Sequence, residues 1–257
     1  MPASSIPFLD WPAPLPFAHR GGASEAPENT LPAFEHAVAL GYTYLETDVH
    51  VTADGVLVAF HDTDLSRTCG RPGIITALPW SDVSTARVSG REPIPLMEDL
   101  LEAFPDARFN IDCKSNAAVS ALVSVIKRTN AGLRVCISAF DDRRLIRLRA
   151  ALGPQVCTGM GPGQIAALRF LGRAAGGGAA AQVPVRQGRV TLVDERFVRG
   201  AHRRGLQVHV WTIDDAHEMR RLLDLGVDGL MTDRPAVLRD VLVERGEWNG
   251  PVPEPGE

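Results

Sequence analysis

Pro16-Phe17-Ala18-His19-Arg20-Gly21-Gly22 begins with a short apolar run; Leu31-Pro32-Ala33-Phe34-Glu35-His36-Ala37-Val38-Ala39-Leu40 follows with apolar residues three and four apart; Tyr44-Leu45-Glu46-Thr47-Asp48-Val49 is again a short apolar run. Period-two and period-3.6 patterns alternating in this way predict strand, helix, strand. Asn29-Thr30 supplies a helix cap residue and Pro32 an early proline, so the helix is expected over Leu31–Leu40.

The alternation continues to about Leu242 with no linker. Further strands are expected at Val56–Phe60, Phe109–Cys113, Val135–Ser138, Val156–Thr158, Ala180–Val183, Gln207–Thr212 and Gly229–Thr232. Helices are expected at Met97–Phe104, Ala117–Arg128, Asp142–Ala151, Asp194–Arg204 and Ala216–Leu225, with Gly41, Gly153, Gly205 and Gly226 at helix stops. About eight strands in one domain favour an α/β fold of the single-domain (β/α)8 TIM-barrel type over an open doubly wound sheet. No G-x-G-x-x-G follows the first strand, which also disfavours the open sheet. The barrel is expected over 16–245, after an N-terminal extension at 1–15 and before a largely disordered tail at 246–257. The glycine- and alanine-rich Gly172–Ala181 reads as a helix end followed by a surface loop.

Composition narrows the function classes. The chain has 257 residues, 45% of them hydrophobic, and its 27 basic against 31 acidic residues give a net charge of −4. That balance, with no long basic run, argues against a nucleic-acid surface. Met1–Phe17 lacks a basic segment followed by an apolar one, and no run of about 18 apolar residues occurs. Cys69, Cys113, Cys136 and Cys157 show no metal-ligand spacing and read as free thiols. The expectation is a cytoplasmic protein with no integral membrane association; the sequence carries no signal for an oligomeric state.

Between Val49 and Val56 there is no room for a helix, and Asp54-Gly55 is a tight-turn signal. A turn centred on that pair sets Asp48 opposite His61 across an antiparallel hairpin, with Glu46 on the same face as Asp48. Strand C-termini of such a barrel converge on one mouth, so Glu46, Asp48 and Asp112 are candidate ligands for a hard divalent cation, Mg2+ or Ca2+. His19 and His61 also end strands. Two histidines beside three acids suit proton transfer in both directions, as cleavage of a phosphodiester requires. Arg20 and Lys114 are candidate phosphate-binding cations.

These segments resemble the glycerophosphodiester phosphodiesterase family. The resemblance rests on His19-Arg20-Gly21-Gly22, Pro27-Glu28-Asn29-Thr30, Glu46-x-Asp48-Val49, Thr52-x-Asp54-Gly55, Val58-x-x-His61-Asp62, Arg67-Thr68, Asn110-Ile111-Asp112-x-Lys114, Trp211-Thr212, Gly226-Val227-Asp228-Gly229 and Thr232-Asp233-x-Pro235, from about His19 to Pro235. It implies a TIM-type barrel that hydrolyses small glycerophosphodiesters to glycerol 3-phosphate and an alcohol. It further implies metal ligation by Glu46, Asp48 and Asp112, catalysis by His19 and His61, and phosphate contacts from Arg20 and Lys114. By the same resemblance, the glycerol 2-hydroxyl attacks phosphorus and water opens the cyclic phosphate formed. Two departures stand out. Asp112 replaces the family's usual glutamate and is one methylene shorter, and Ile94-Pro95-Leu96-Met97-Glu98 replaces its Pro-Thr-Leu-x-Glu.

Around this set, Glu28 and Asn29 are candidates for orienting Arg20 or a ligand, or for capping the following helix. Trp211 either stacks on the glycerol or leaving group or packs at the mouth. Gln182 is a weaker ligand candidate. His36, His50, His202, His209 and His217 are expected on helices or the wrong strand face, Asp233 as the cap of the turn before Pro235, and Glu98 without a chemical role. The other readings are a lysophospholipase D or sphingomyelinase D type enzyme with a lipid chain in the mouth, a non-catalytic glycerophosphoryl-binding barrel, and, more distantly, a metal-dependent nuclease.

Overall fold

A computed structural model describes residues 6–251. In chain order its strands are β1 Leu15–Ala18, β2 Tyr44–Val51, β3 Leu57–Ala59, β4 Arg87–Val88, β5 Glu92–Pro93, β6 Arg108–Cys113, β7 Val135–Ser138, β8 Cys157–Thr158, β9 Ala180–Pro184, β10 Arg186–Gln187, β11 Val190–Thr191, β12 Gln207–Trp211 and β13 Gly229–Thr232. Its helices are α1 Leu31–Ala39, α2 Ser66–Cys69, α3 Trp80–Val83, α4 Met97–Ala103, α5 Ala118–Arg128, α6 Asp142–Leu152, α7 Pro162–Leu171, α8 Glu195–His202, α9 Ala216–Asp224 and α10 Pro235–Glu244.

Eight strands run parallel in the order β8-β7-β6-β2-β1-β13-β12-β9. The circle closes where Gly159 bridges Ala180, Met160 N donating to Ala180 O at 2.8 Å and Ala179 N to Thr158 O at 2.8 Å. A helix packs outside after each of the eight, so the fold is the expected single-domain (β/α)8 barrel. Each predicted strand is present within a residue or two. Two barrel helices, α7 and α10, go beyond the predicted set; both begin on a proline, Pro162 and Pro235, at a helix start.

The side-chain alternation sorts the chain into two environments. On β2, Leu45 and Val49 point outward into the core beneath the helices, as do Phe109, Ile111 and Cys113 on β6. Tyr44, Glu46 and Asp48 therefore point into the barrel, as do Asn110 and Asp112. The register sets Glu46 beside Asn110, Asp48 beside Asp112, and Asp112 beside Ser138. The lower interior is an aromatic and aliphatic layer of Leu15, Phe17, Tyr44, Cys136, Cys157 and Met231.

Residues 6–14, expected to be an extension, close the bottom of the barrel. Phe8 and Leu9 are buried against that interior layer, and Tyr44 Oη donates to Phe8 O at 2.6 Å. Arg108 adds hydrogen bonds to Phe8 O and Asp10 O at 3.0 and 2.9 Å and stacks over Trp11. Residues 246–251 are packed too, contrary to the disorder expected there: Trp248 lies edge-on to Tyr42 and Asn249 Nδ2 donates to Pro12 O. Residues 1–5 and 252–257 lie outside the described residues.

Across the middle of the barrel, Gln182 Nε2 donates to Asn110 Oδ1 at 2.7 Å and stands 3.4 Å from His209 Nδ1. His209 shares the inner face with Trp211, correcting the expectation that it lies on the wrong face; it sits one layer below the mouth. Burial pushes its pKa down to about 3. The unfolded chain therefore binds a proton below about pH 6.5 that the folded chain refuses. Folding stability should fall as pH drops from about 6.5 towards 3, by about 1.4 kcal/mol per unit from this residue. Urea unfolding at several pH values would show that slope in the wild type and its loss in His209→Gln; identical slopes in both proteins would contradict it.

Candidate active site

The first strand ends in a turn that only particular residues allow. His19–Gly21 form a single tight turn in which Arg20 and Gly21 have positive φ, 52° and 81°. A Cβ on Gly21 would lie 2.7 Å from the Ala33 Cβ of α1. Gly21→Ala thus meets both a left-handed backbone and a clash. It is expected to destabilise the protein by about 2 kcal/mol or more, measured by thermal or urea unfolding. A change within about 0.5 kcal/mol would contradict the packing argument.

The turn aims two groups at the carboxylates of β2. Arg20 N donates to Glu46 Oε2 at 3.1 Å, and the Arg20 guanidinium reaches Asp48 Oδ2 at 3.3 Å and Glu28 Oε1 at 3.0 Å. Glu28 thus holds one nitrogen of the Arg20 guanidinium. Asn29 does not cap α1, whose N-cap is Thr30. Its Nδ2 donates to Asp48 Oδ2 at 3.2 Å and its Oδ1 accepts from Thr47 Oγ1 at 2.7 Å, which fixes the Asp48 carboxylate.

His19 Nδ1 donates to Asp233 Oδ1 at 2.6 Å, and His19 Nε2 stands 3.7 Å from Glu46 Oε2. Asp233, expected only as a turn cap, therefore orients the histidine. A carboxylate can only accept, so Nδ1 carries the proton and Nε2 is turned to the Glu46 side. Burial lowers the proton affinity of His19, but Glu46 and Asp233 outweigh it and hold its pKa above the usual imidazole value.

The second histidine arrives differently from the expected hairpin. β2 pairs with β3 so that Val49 faces Ala59 and Val51 faces Leu57, and Phe60 N donates to Asp48 O at 2.9 Å. Asp48 is therefore opposite Phe60, one residue from the expected partner. The cause is the connection: Thr52 N donates to Val56 O and Gly55 N to Thr52 O, a wider loop than a two-residue turn on Asp54-Gly55. His61 still lines the cavity, since it lies just beyond β3 with its carbonyl 3.0 Å from His50 Nε2. His61 Nδ1 donates to Asp62 Oδ1 at 2.5 Å. Arg67 forks onto Asp62 and also onto Glu28, and holds the Asp62 pKa down at about 2. Asp62 and Arg67 stood in the sequence motifs without a role; here Arg67 links the supports of His61 and Arg20. The segment from β3 to α4 that carries them has its own core of Phe60, Leu65, Ile75, Val83 and Val88.

Lys114 Nζ lies 2.7 Å from both Asp48 Oδ1 and Asp112 Oδ2. Burial opposes its charge, but the two carboxylates prevail and raise its pKa above the usual lysine value. They leave the acids unequal. Burial and then Asp48 push the Glu46 pKa up to about 7. Burial raises that of Asp112, whereas in Asp48 it is outweighed by Lys114 and Arg20 and the pKa is lowered. Asp112 Oδ1 is buried and accepts no hydrogen bond.

His19, Arg20, Glu46, Asp48, His61, Asp112, Lys114, Gln182 and Trp211 all line one cavity of about 560 Å³. Glu28 and Asn29 stand behind it. Among the described residues no three His, Cys, Asp or Glu side chains form a ready-made cation cluster; Lys114 stands between Asp48 and Asp112. Glu98, as expected, is elsewhere, paired with Arg128. The cavity's other wall is apolar: Phe140, Met160, Ile165, Phe170, Val190 and Leu192. Trp211 joins it, edge-on to Phe140 at 5.7 Å between ring centroids.

A closed barrel with two carboxylate-braced histidines and three buried acids at its mouth is the framework of a phosphoric-ester hydrolase. The chain belongs to the glycerophosphoryl diester phosphodiesterase family, whose model matches residues 19–237. It is 42% identical to the Mycobacterium tuberculosis protein named probable glycerophosphodiester phosphodiesterase 2, covering 96% of this chain and 98% of that one. It is 28% identical to the lysophospholipase D GDPD1 of Rattus norvegicus, covering 88% and 85%. The fold matches a phosphodiesterase of Oleispira antarctica in complex with sn-glycerol-3-phosphate, with a TM-score of 0.77, 24% identity, and 90% and 97% of the two chains covered. It also matches a glycerophosphodiester phosphodiesterase of Agrobacterium tumefaciens, with a TM-score of 0.74, 23% identity, and 87% and 98% covered.

Proposed function

We propose that this phosphoric diester hydrolase cleaves glycerophosphodiesters to glycerol 3-phosphate and an alcohol, using His19 and His61 as the paired acid and base. The observation that carries the reading is their common construction. Each histidine gives its Nδ1 proton to a carboxylate, Asp233 or Asp62, at 2.6 and 2.5 Å. That leaves each Nε2 free to take or give a proton at the reacting phosphate. Arg20 and Lys114 supply positive charge for the phosphate oxygens. An intramolecular attack by the glycerol 2-hydroxyl, expelling the alcohol and giving a cyclic phosphate that water then opens, needs one base and one acid, which the two histidines would provide.

The donor set suits a divalent cation, Mg2+ or Ca2+, provided Lys114 Nζ moves from its place between Asp48 and Asp112. Three buried carboxylates share one wall, Asp112 Oδ1 lacks any donor, and burial together with the neighbouring Asp48 raises the Glu46 pKa despite His19, Lys114 and Arg20. Glu46, Asp48 and Asp112 would hold the cation, which supplies Lewis acidity towards the phosphate and glycerol oxygens when bound. Asp112, one methylene shorter than the family's usual glutamate, sits in register with Asp48 on the neighbouring strand.

The apolar wall favours a second reading, that a diester carrying an acyl chain is also accepted. Hydrolysis of glycerophosphocholine and of lysophosphatidylcholine, each followed by phosphate-product release, tests both. Turnover of glycerophosphocholine supports the primary reading, and a higher kcat/KM for the acylated diester would make the second one dominant. Turnover of neither would contradict both.

A further inference from the structure

Between Asp142 and Asp194 the chain contains no acidic residue, although it has 31 overall, and it carries eight arginines there. The same stretch holds the four most exposed large apolar side chains among the described residues: Leu171 at 67%, Phe140 just before it at 65%, Phe170 at 64% and Ile146 at 61%. Phe140 and Phe170, together with the exposed Val190, line the apolar side of the catalytic cavity. Around them Arg143, Arg173, Arg186 and Arg189 are exposed. Three carboxylates flank this stretch and each is engaged: Asp194 accepts from Arg169 and from Phe197 N, Asp142 accepts from Gly163 N, and Asp141, next to Phe140, accepts from Arg144 N.

An apolar rim interleaved with exposed guanidinium groups that form no carboxylate pair among the described residues, on a protein of net negative charge, has a defined complement. Apolar tips alone would suit any greasy surface, and arginines alone any polyanion. Their combination suits the interface of a bilayer that carries anionic head groups, where rings enter the acyl boundary and guanidiniums meet phosphates. We propose that the rim from Phe140 through α7 to the β10–β11 hairpin docks the barrel mouth on an anionic phospholipid surface. Docking there sets the catalytic cavity against the membrane; no helix among the described residues is long and apolar enough to cross one.

The test is co-sedimentation of the full chain with vesicles of phosphatidylcholine alone and of phosphatidylcholine with roughly one-third phosphatidylglycerol, at low and physiological salt. The expected result is at least about tenfold tighter binding to the anionic vesicles, weakening with salt. A variant carrying Leu171→Ser, Arg173→Glu and Arg189→Glu, all outside the cavity lining, should fall to the level seen with phosphatidylcholine alone. That variant should hydrolyse soluble glycerophosphocholine at the wild-type rate, which verifies its fold. Equal binding to both vesicle types, undiminished binding by the variant, or binding to an oligonucleotide duplex but not to vesicles would each overturn the proposal. Failure of soluble-substrate turnover in the wild type would count against the hydrolase reading instead and leave the vesicle result intact.

Discussion

His19→Ala is expected to lower kcat for glycerophosphocholine hydrolysis by about 10²–10⁴-fold, with little change in KM. The histidine contacts Asp233 and approaches Glu46, and on the proposed reading it is Arg20 and Lys114, not His19, that would hold the ground-state phosphate. Its loss should therefore be felt where a proton moves. His61→Ala should behave alike. Because the two act on one proton inventory, the double variant should fall well short of the product of the single losses. A loss below tenfold in either single variant, in protein whose unfolding is unchanged, would remove that histidine from the proton transfer.

Chelation is expected to have the second large effect. EDTA should reduce turnover by about 10³-fold or more, and Mg2+ or Ca2+ should restore it. A readout independent of activity accompanies this. A cation bound at 100 times its Kd stabilises the fold by about 2.7 kcal/mol, so it should raise the melting temperature of the wild type by several degrees. In Asp112→Asn, which removes a charge and alters the one buried carboxylate with an orphaned oxygen among the described residues, the same cation should produce a much smaller shift. Full activity after exhaustive chelation, with no cation-dependent shift in melting, would exclude a resident metal.

Much of this site was legible because strand endings are local. Glu46 and Asp48 share a face by simple alternation, and each apolar run that ends in His19, Asp112 or Trp211 delivers its last residue to the mouth. What was missed depends on contacts far apart in sequence. Asp233 meets His19 across 214 residues, and only the pairing of β1 with β13 brings their ends together. The one-residue error at Asp48 and His61 has a different origin: Thr52 and Val56 close a wider loop than Asp54-Gly55 alone suggests. Helices α7 and α10 were missed although each opens on a proline, Pro162 or Pro235, a start signal that the sequence carries. Asp62 and Arg67 sat in plain view within motifs. Their roles emerge only because the β3–α4 excursion folds Arg67 back over Glu28.

The segment from Ile6 to Trp11 seals the far end of the barrel, with Arg108 and Tyr44 fastening it. Traffic through the enzyme is consequently one-way in and one-way back: substrate, water and both products share a single doorway. On the proposed reading, the charged product would meet Arg20 and Lys114 at the inner wall, and the alcohol the apolar wall of Phe140, Phe170 and Val190. Departure is then expected to be sequential, the alcohol leaving first and the phosphate last, with the phosphate product competing against incoming substrate in initial-rate measurements.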